Sequence, residues 1–123
     1  PRSITPPDAT GSLANEAHVA ETLYGGQIFV SRTKQGITRG NHWHHTKAEK
    51  FLVIDGEALI RFRQINSSEI IEFKVSGEEL KVLDIPAGYT HSITNTGHND
   101  VITLFWADEI FDPQKPDTFY LEI

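Results

Sequence analysis

The sequence predicts an all-β domain, a small barrel or sandwich, and three observations carry that prediction. Apolar residues fall in short runs rich in β-branched and aromatic side chains. Gly, Asn, Asp and Pro punctuate these runs at close intervals, as strand-joining turns require. Almost no stretch repeats its apolar residues at the helical period.

Taken in order, residues 1–11 (PRSITPPDATG) are turn-forming and read as an N-terminal arm or linker remnant, ahead of one domain over residues 12–123. Residues 12–23 fit a short strand or a helical turn equally well. Gly25-Gly26 leads into a strand at residues 27–32 (QIFVSR), marked by its β-branched and aromatic content. A turn at 33–36 precedes a histidine-bearing strand at 37–45. Asp55-Gly56 separates strands 50–54 and 57–64 and reads as a hairpin, because glycine accepts a positive φ there. In the second of these strands Ala58, Ile60 and Phe62 alternate with Leu59, Arg61 and Arg63, so one face carries two guanidinium groups. Strands at 69–75 and 80–85 flank the turn Ser76-Gly77-Glu78-Glu79. Strands at 91–96 and 101–107 flank the turn at 97–100. The total is seven or eight strands, and the Pro-interrupted aromatic tail at 108–123 reads as a covering segment.

Composition narrows the function. A chain of 123 residues is one domain with a single core. Eleven Lys and Arg against 17 Asp and Glu leave a net charge of −6, which argues against a nucleic acid or an anionic membrane surface as the partner. No apolar run nears the roughly 18 residues of a membrane span, and no signal peptide is visible. Without cysteine there is no disulfide framework, which fits a cytoplasmic location. The absence of methionine, even at the start, points to a domain cut from a longer protein.

Residues 36–56 (GITRGNHWHHTKAEKFLVIDG) hold the chemistry. His42 and His44 are two apart, so on a strand both imidazoles face one side. Glu49 opens the next apolar run and can meet them from a neighbouring strand. His91 follows a Pro/Gly turn. Imidazoles with one carboxylate suit Zn, Fe, Mn or Ni. His45 points to the other side of a regular strand, and His18 and His98 read as surface residues. Trp43, Phe105, Trp106 and the aromatic tail read as core or dimer contact rather than a sugar-stacking platform.

Two patterns identify the chain as a resemblance to a known family. The first is G-x5-H-x-H-x4-E-x6-G, as Gly36, His42, His44, Glu49 and Gly56. The second is P-x-G-x2-H-x3-N, as Pro86, Gly88, His91 and Asn95. Together they resemble the two motifs of the cupin superfamily, whose fold is a double-stranded β-helix, a small jelly-roll barrel. One departure is that the glycine expected with five residues between it and Pro86 is Leu80, with Gly77 nearby. More narrowly, the stretch from Thr38 to Arg63, the segment IPAGYTH and the tail WADEIFDPQKPDTFY resemble the C-terminal cupin domain of bifunctional UDP-sugar enzymes of capsule and O-antigen synthesis. This likeness covers roughly residues 8–123.

That resemblance implies a zinc-binding domain that epimerises C3 of a UDP-4-keto-6-deoxy-N-acetylhexosamine on the way to UDP-2-acetamido-2,6-dideoxy-L-talose. An N-terminal reductase domain would then reduce C4 with NADPH, and the present chain carries no GxGxxG motif for it. It also implies that His42, Glu49 and His91 are metal ligands, with His44 a fourth ligand or a base facing the substrate. Epimerisation beside a ketone needs a base, an acid and a group that holds enolate charge. Lys50 and Tyr89 are candidates for the second proton-transfer group by position. Arg39, Arg61 and Arg63 are candidates for the UDP diphosphate, because guanidinium binds phosphate oxygens in bidentate fashion. Arg61 and Arg63 fit a solvated barrel face as well. A homodimer is expected, since such barrels leave edges that the N-terminal arm and the Phe111–Tyr120 tail would cover.

Two other readings share these residues. TRGNHW resembles the R-G-x-H stretch of metal-free keto-sugar epimerases and ketoisomerases, although the full histidine and glutamate set exceeds what they need. A non-catalytic cupin, stapled by its metal and serving sugar binding or dimerisation, is the third, with an iron oxygenase in the same ligand set beside it.

Overall fold

Along residues 57–64, Ala58, Ile60 and Phe62 are buried while Leu59, Arg61 and Arg63 are half-buried. A strand with one face on a core has this period of two. The same alternation recurs at 27–33 and 101–107. Repeated over many short strands, it makes two sheets that bury their inner faces against each other.

The computed structural model describes residues 2–3, 15–21, 26–109 and 112–123. One sheet has six strands, in spatial order β1 (Arg2–Ser3), β2 (Asn15–Glu21), β3 (Gln27–Thr33), β10 (Val101–Ala107), β5 (Glu49–Asp55) and β8 (Val82–Ile85). The other has five: β11 (Phe119–Tyr120), β4 (Thr38–Trp43), β9 (Tyr89–Asn95), β6 (Glu57–Gln64) and β7 (Ile71–Ser76). All pairings are antiparallel. Phe51, Val53 and Phe105 from the first sheet pack with Ile60, Phe62 and Ile93 from the second. The apolar core runs directly into the histidines: Phe51 lies edge-on to Phe105 at 4.6 Å and edge-on to His91 at 5.4 Å.

The Asp55-Gly56 turn is not a hairpin. β5 pairs with β10 and β8, whereas β6 pairs with β9 and β7, so this turn carries the chain from one sheet to the other. Gly56 has the expected positive φ of 87°. A Cβ there would come within 2.6 Å of the Asp100 carbonyl, because the corner is pressed against the next crossing turn. The turns at 76–79 and 97–100 also change sheets. Consecutive strands instead pair within a sheet at β6 and β7, with Arg61 opposite Glu72, and at β2 and β3. Gly77 packs where the cupin pattern departs: a Cβ there would meet Asp55 Cα and the Ile54 carbonyl at 2.6 Å. Leu80, at the pattern's glycine position, is exposed.

Among the described residues eleven strands stand where seven or eight were expected, because β1, β2 and β11 add to the count. Residues 12–23, open between two readings, form strand β2 over Asn15–Glu21. β4 stops at Trp43, so His44 lies just beyond it. β9 begins at Tyr89 rather than His91, and β8 at Val82. Of the expected arm at 1–11, only Arg2–Ser3 falls within the described residues, and Phe111 lies outside them. Among the described residues no helix is long and apolar enough to cross a membrane.

Gly40 marks a close crossing that the site depends on. Its φ is 99°, and a Cβ would meet the His91 carbonyl at 2.6 Å and Ser92 Cα at 3.0 Å. Gly40→Ala is expected to lower stability by at least about 2 kcal/mol, since strain and clash act together. Denaturant midpoints of the two proteins check this.

Candidate metal centre

β4 and β9 run side by side, with His42 directly opposite His91. The register shifts between Gly40 and His42, and Asn41 takes a left-handed φ of 58°. This bulge absorbs one residue and aims His42 inward. Glu49 arrives from the other sheet as the first residue of β5, opposite Ala107 and Ile85. His44 opens the loop between them. The ligand atoms of His42, His44, Glu49 and His91 all lie within 4.8 Å of one another. The three imidazoles are 93% or more buried, at 7%, 5% and 2% exposure.

Second contacts orient two of the rings. His44 Nδ1 is 2.7 Å from the Asp117 carbonyl, and His91 Nδ1 is 3.1 Å from that of Tyr89. A carbonyl only accepts, so each Nδ1 carries a proton and each Nε2 is turned inward toward Glu49. His44 Nε2 and Glu49 Oε1 are 2.7 Å apart, and His91 Nε2 is 3.4 Å from the same oxygen. These approaches lack hydrogen-bond alignment, and all three atoms are buried without a hydrogen-bond partner. Nε2 atoms aimed at a shared carboxylate oxygen offer a divalent ion their lone pairs once their protons leave, and the donor set fits zinc.

The carboxyl of Glu49 is held well below the usual range: burial alone would raise it, but the adjacent imidazoles of His44 and His91 outweigh burial. It is therefore ionised at neutral pH, as a ligand must be. The stability it confers is present above the ordinary glutamate range and lost as pH falls through the depressed value.

The four side chains sit at the wall of a cavity of about 50 Å³, shared with Arg39, Lys47 and the rings of Phe29, Phe51 and Phe105. At roughly 10–15 Å³ for each water, that volume takes a few waters or one edge of a small molecule.

A family model for the polysaccharide biosynthesis C-terminal domain matches residues 7–119. The chain belongs to that family. Proteins of known name are similar to it. A UDP-2-acetamido-2,6-beta-L-arabino-hexul-4-ose reductase of Pseudomonas aeruginosa is 41% identical over 99 residues, covering 80% of this chain and 27% of the reductase. The capsular polysaccharide assembling protein CapF of Staphylococcus aureus superposes with a TM-score of 0.88 at 51% identity, over 91% of this chain and 33% of that one. The chain thus spans about a quarter to a third of these relatives. An oxalate oxidase, 17% identical with a TM-score of 0.69 over 94% of this chain and 59% of that one, shares the fold alone. That fold is the cupin double-stranded β-helix.

In this family member the other site candidates are distributed unevenly. Arg39 is buried at the cavity, its guanidinium carbon 5.8 Å from the Phe105 ring centre. Arg61 lies on the outer face of β6, with its Nε 3.8 Å from Glu72. Arg63, on the same face, donates to the carbonyls of Ser67 at 2.9 Å and Glu122 at 3.0 Å. Lys50 is exposed and ion-paired with Asp84 on the outer face of β5. The ring of Tyr89 lies edge-on to Phe62 at 6.0 Å and does not line the cavity. His45 and His98 are exposed, and the side chain of His18 is outside the described residues. Trp43 packs on Phe119 at 4.8 Å.

Sequence reasoning missed Lys47 and Asp117. Lys47 lies in the loop ahead of β5, where no strand period tells which way a side chain points. Asp117 had no local signal. His91→Ala is expected to lower both divalent-metal content and melting temperature, since binding to the folded state alone is folding free energy. Metal analysis and thermal melts with and without chelator check both.

Proposed function

We propose that this chain is the zinc-dependent cupin domain of a cytoplasmic nucleotide-sugar enzyme of capsule or O-antigen synthesis. In this reading it epimerises C3 of a UDP-4-keto-6-deoxy-N-acetylhexosamine, and an N-terminal reductase domain completes the protein. The carrying observation is the buried His42, His44, Glu49 and His91 cluster opening on a cavity with Arg39 and Lys47. The names of the similar proteins, a hexulose reductase and a capsule-assembling protein, support the substrate class.

Zinc held by His42, His44, Glu49 and His91 would supply Lewis-acid polarisation of the sugar ketone. The cavity admits one edge of the sugar and leaves the nucleotide outside, so Arg39 faces the reacting oxygen rather than the diphosphate. Its guanidinium meets negative charge as that charge develops, in surroundings kept dry by Phe29, Phe51 and Phe105. Lys47 brings an amine to the same cavity, and we assign it removal of the C3 proton, with solvent water returning one to the opposite face. Lys50 and Tyr89 then hold structural places, and His44 serves as a ligand.

In deuterated water the domain should wash deuterium into C3 of such a hexulose without NADPH. Lys47→Ala should slow this by about 10²–10⁴ with zinc content intact, the range typical of lost general acid–base catalysis. No exchange by the wild-type chain would favour the binding or structural cupin. Exchange that survives complete chelation would favour the metal-free epimerase.

The homodimer is part of the same proposal. Phe73 and Val82 are exposed on β7 and β8, the edge strands of the two sheets. Unpaired edges with apolar side chains favour a covering partner. Sedimentation at tens of micromolar should give twice the chain mass, and a monomer there would reject it.

A further inference from the structure

The loop from His44 to Ala48 connects two metal-centre residues, yet it belongs to neither sheet. Its backbone N–H groups are satisfied instead by carboxylates from the C-terminal segment. Asp117 Oδ1 accepts from His45 N at 2.8 Å, and its Oδ2 accepts from Thr46 N at 2.9 Å and Lys47 N at 3.3 Å. The Thr46 hydroxyl donates to the same Oδ2 at 3.1 Å. Asp108 Oδ1 takes the next N–H, from Ala48, at 3.0 Å. Four consecutive N–H groups thus end on two aspartates.

Asp117 also reaches the centre itself, through the carbonyl that receives His44 Nδ1–H. To do both it adopts a φ of 47°, and Asn41 is the other non-glycine residue with positive φ among the described residues. Asn41 contacts the same segment: its carbonyl receives Leu121 N at 2.8 Å. Both left-handed residues therefore lie where the C-terminal segment meets the strand and loop that carry His42 and His44. Backbone strain persists where the surroundings over-determine it, and functional sites are where it gathers.

We propose that Asp117 is a positioning residue for the metal centre. Its carbonyl fixes His44 with Nε2 turned inward, and its carboxylate freezes the backbone that leads to Glu49. Residues 117–123 act as a strap that sets the affinity for the ion. Arg63, donating to Glu122, and Thr90, donating to Leu121, tie that strap to the barrel. This inference rests on the proposed metal site.

The test compares Asp117→Gly, which keeps the left-handed backbone without the carboxylate, with Asp117→Asn, which keeps shape and one acceptor oxygen. Zinc affinity is read by competition with a chromophoric chelator, and melting temperature is read on the metal-free proteins. Asp117→Gly should weaken zinc binding about 10- to 100-fold, as loss of an outer partner does, with Asp117→Asn falling between it and wild type. The loss should shrink in a His44→Ala background, because the effect travels partly through that ring. A lowered metal-free melting temperature with unchanged zinc affinity would overturn the proposal and leave Asp117 merely structural. An equal loss with and without His44 would overturn it too. Should Asp117→Gly not fold, Asp117→Asn carries the comparison. A wild-type chain that binds no zinc would remove the metal reading itself and this role with it.

Discussion

Three imidazoles and a carboxylate held out of water within 4.8 Å of one another are the constraint on which the rest of the structure depends. Burying such groups without partners costs several kcal/mol, so each must be answered. Backbone carbonyls answer Nδ1 of His44 and His91. The adjacent imidazoles keep Glu49 ionised despite its burial. What remains are inward Nε2 atoms around one carboxylate, an arrangement that a cation can take over from the ring protons.

The centre also joins the two sheets. His42 and His91 come from the five-stranded sheet and Glu49 from the six-stranded one. An ion shared among them would cross-link the layers in a chain without cysteine. It would do so beside Phe51 and Phe105, where the apolar core meets the cavity. A small barrel with a modest hydrophobic fraction gains stability from a link placed there, since metal binding to the folded state alone is folding free energy.

Charge is sorted by strand face. Arg39 and Lys47 lie at the cavity, while Lys50, Arg61 and Arg63 lie on outer faces with partners of their own. The outer arginines are not idle. Arg63 ties down the end of the chain and Arg61 pairs across β6 and β7, so a guanidinium-bearing face serves the fold rather than the cavity.

The all-β class, most of the strands and the four converging residues were legible in the amino-acid order, because each rests on chemistry readable over a few positions. Alternation reports which residues face inward, and two spaced motifs name the imidazoles and the carboxylate. That the turn at Asp55-Gly56 changes sheets emerges only in the folded barrel, since a positive φ reverses the chain without choosing its partner. The barrel also decides that Lys50 faces solvent while Lys47 faces the cavity. Asp117 lay furthest beyond reach. Its partners stand about seventy residues earlier in the chain, and nothing local to a Pro-Asp-Thr sequence encodes a contact made only when the barrel closes.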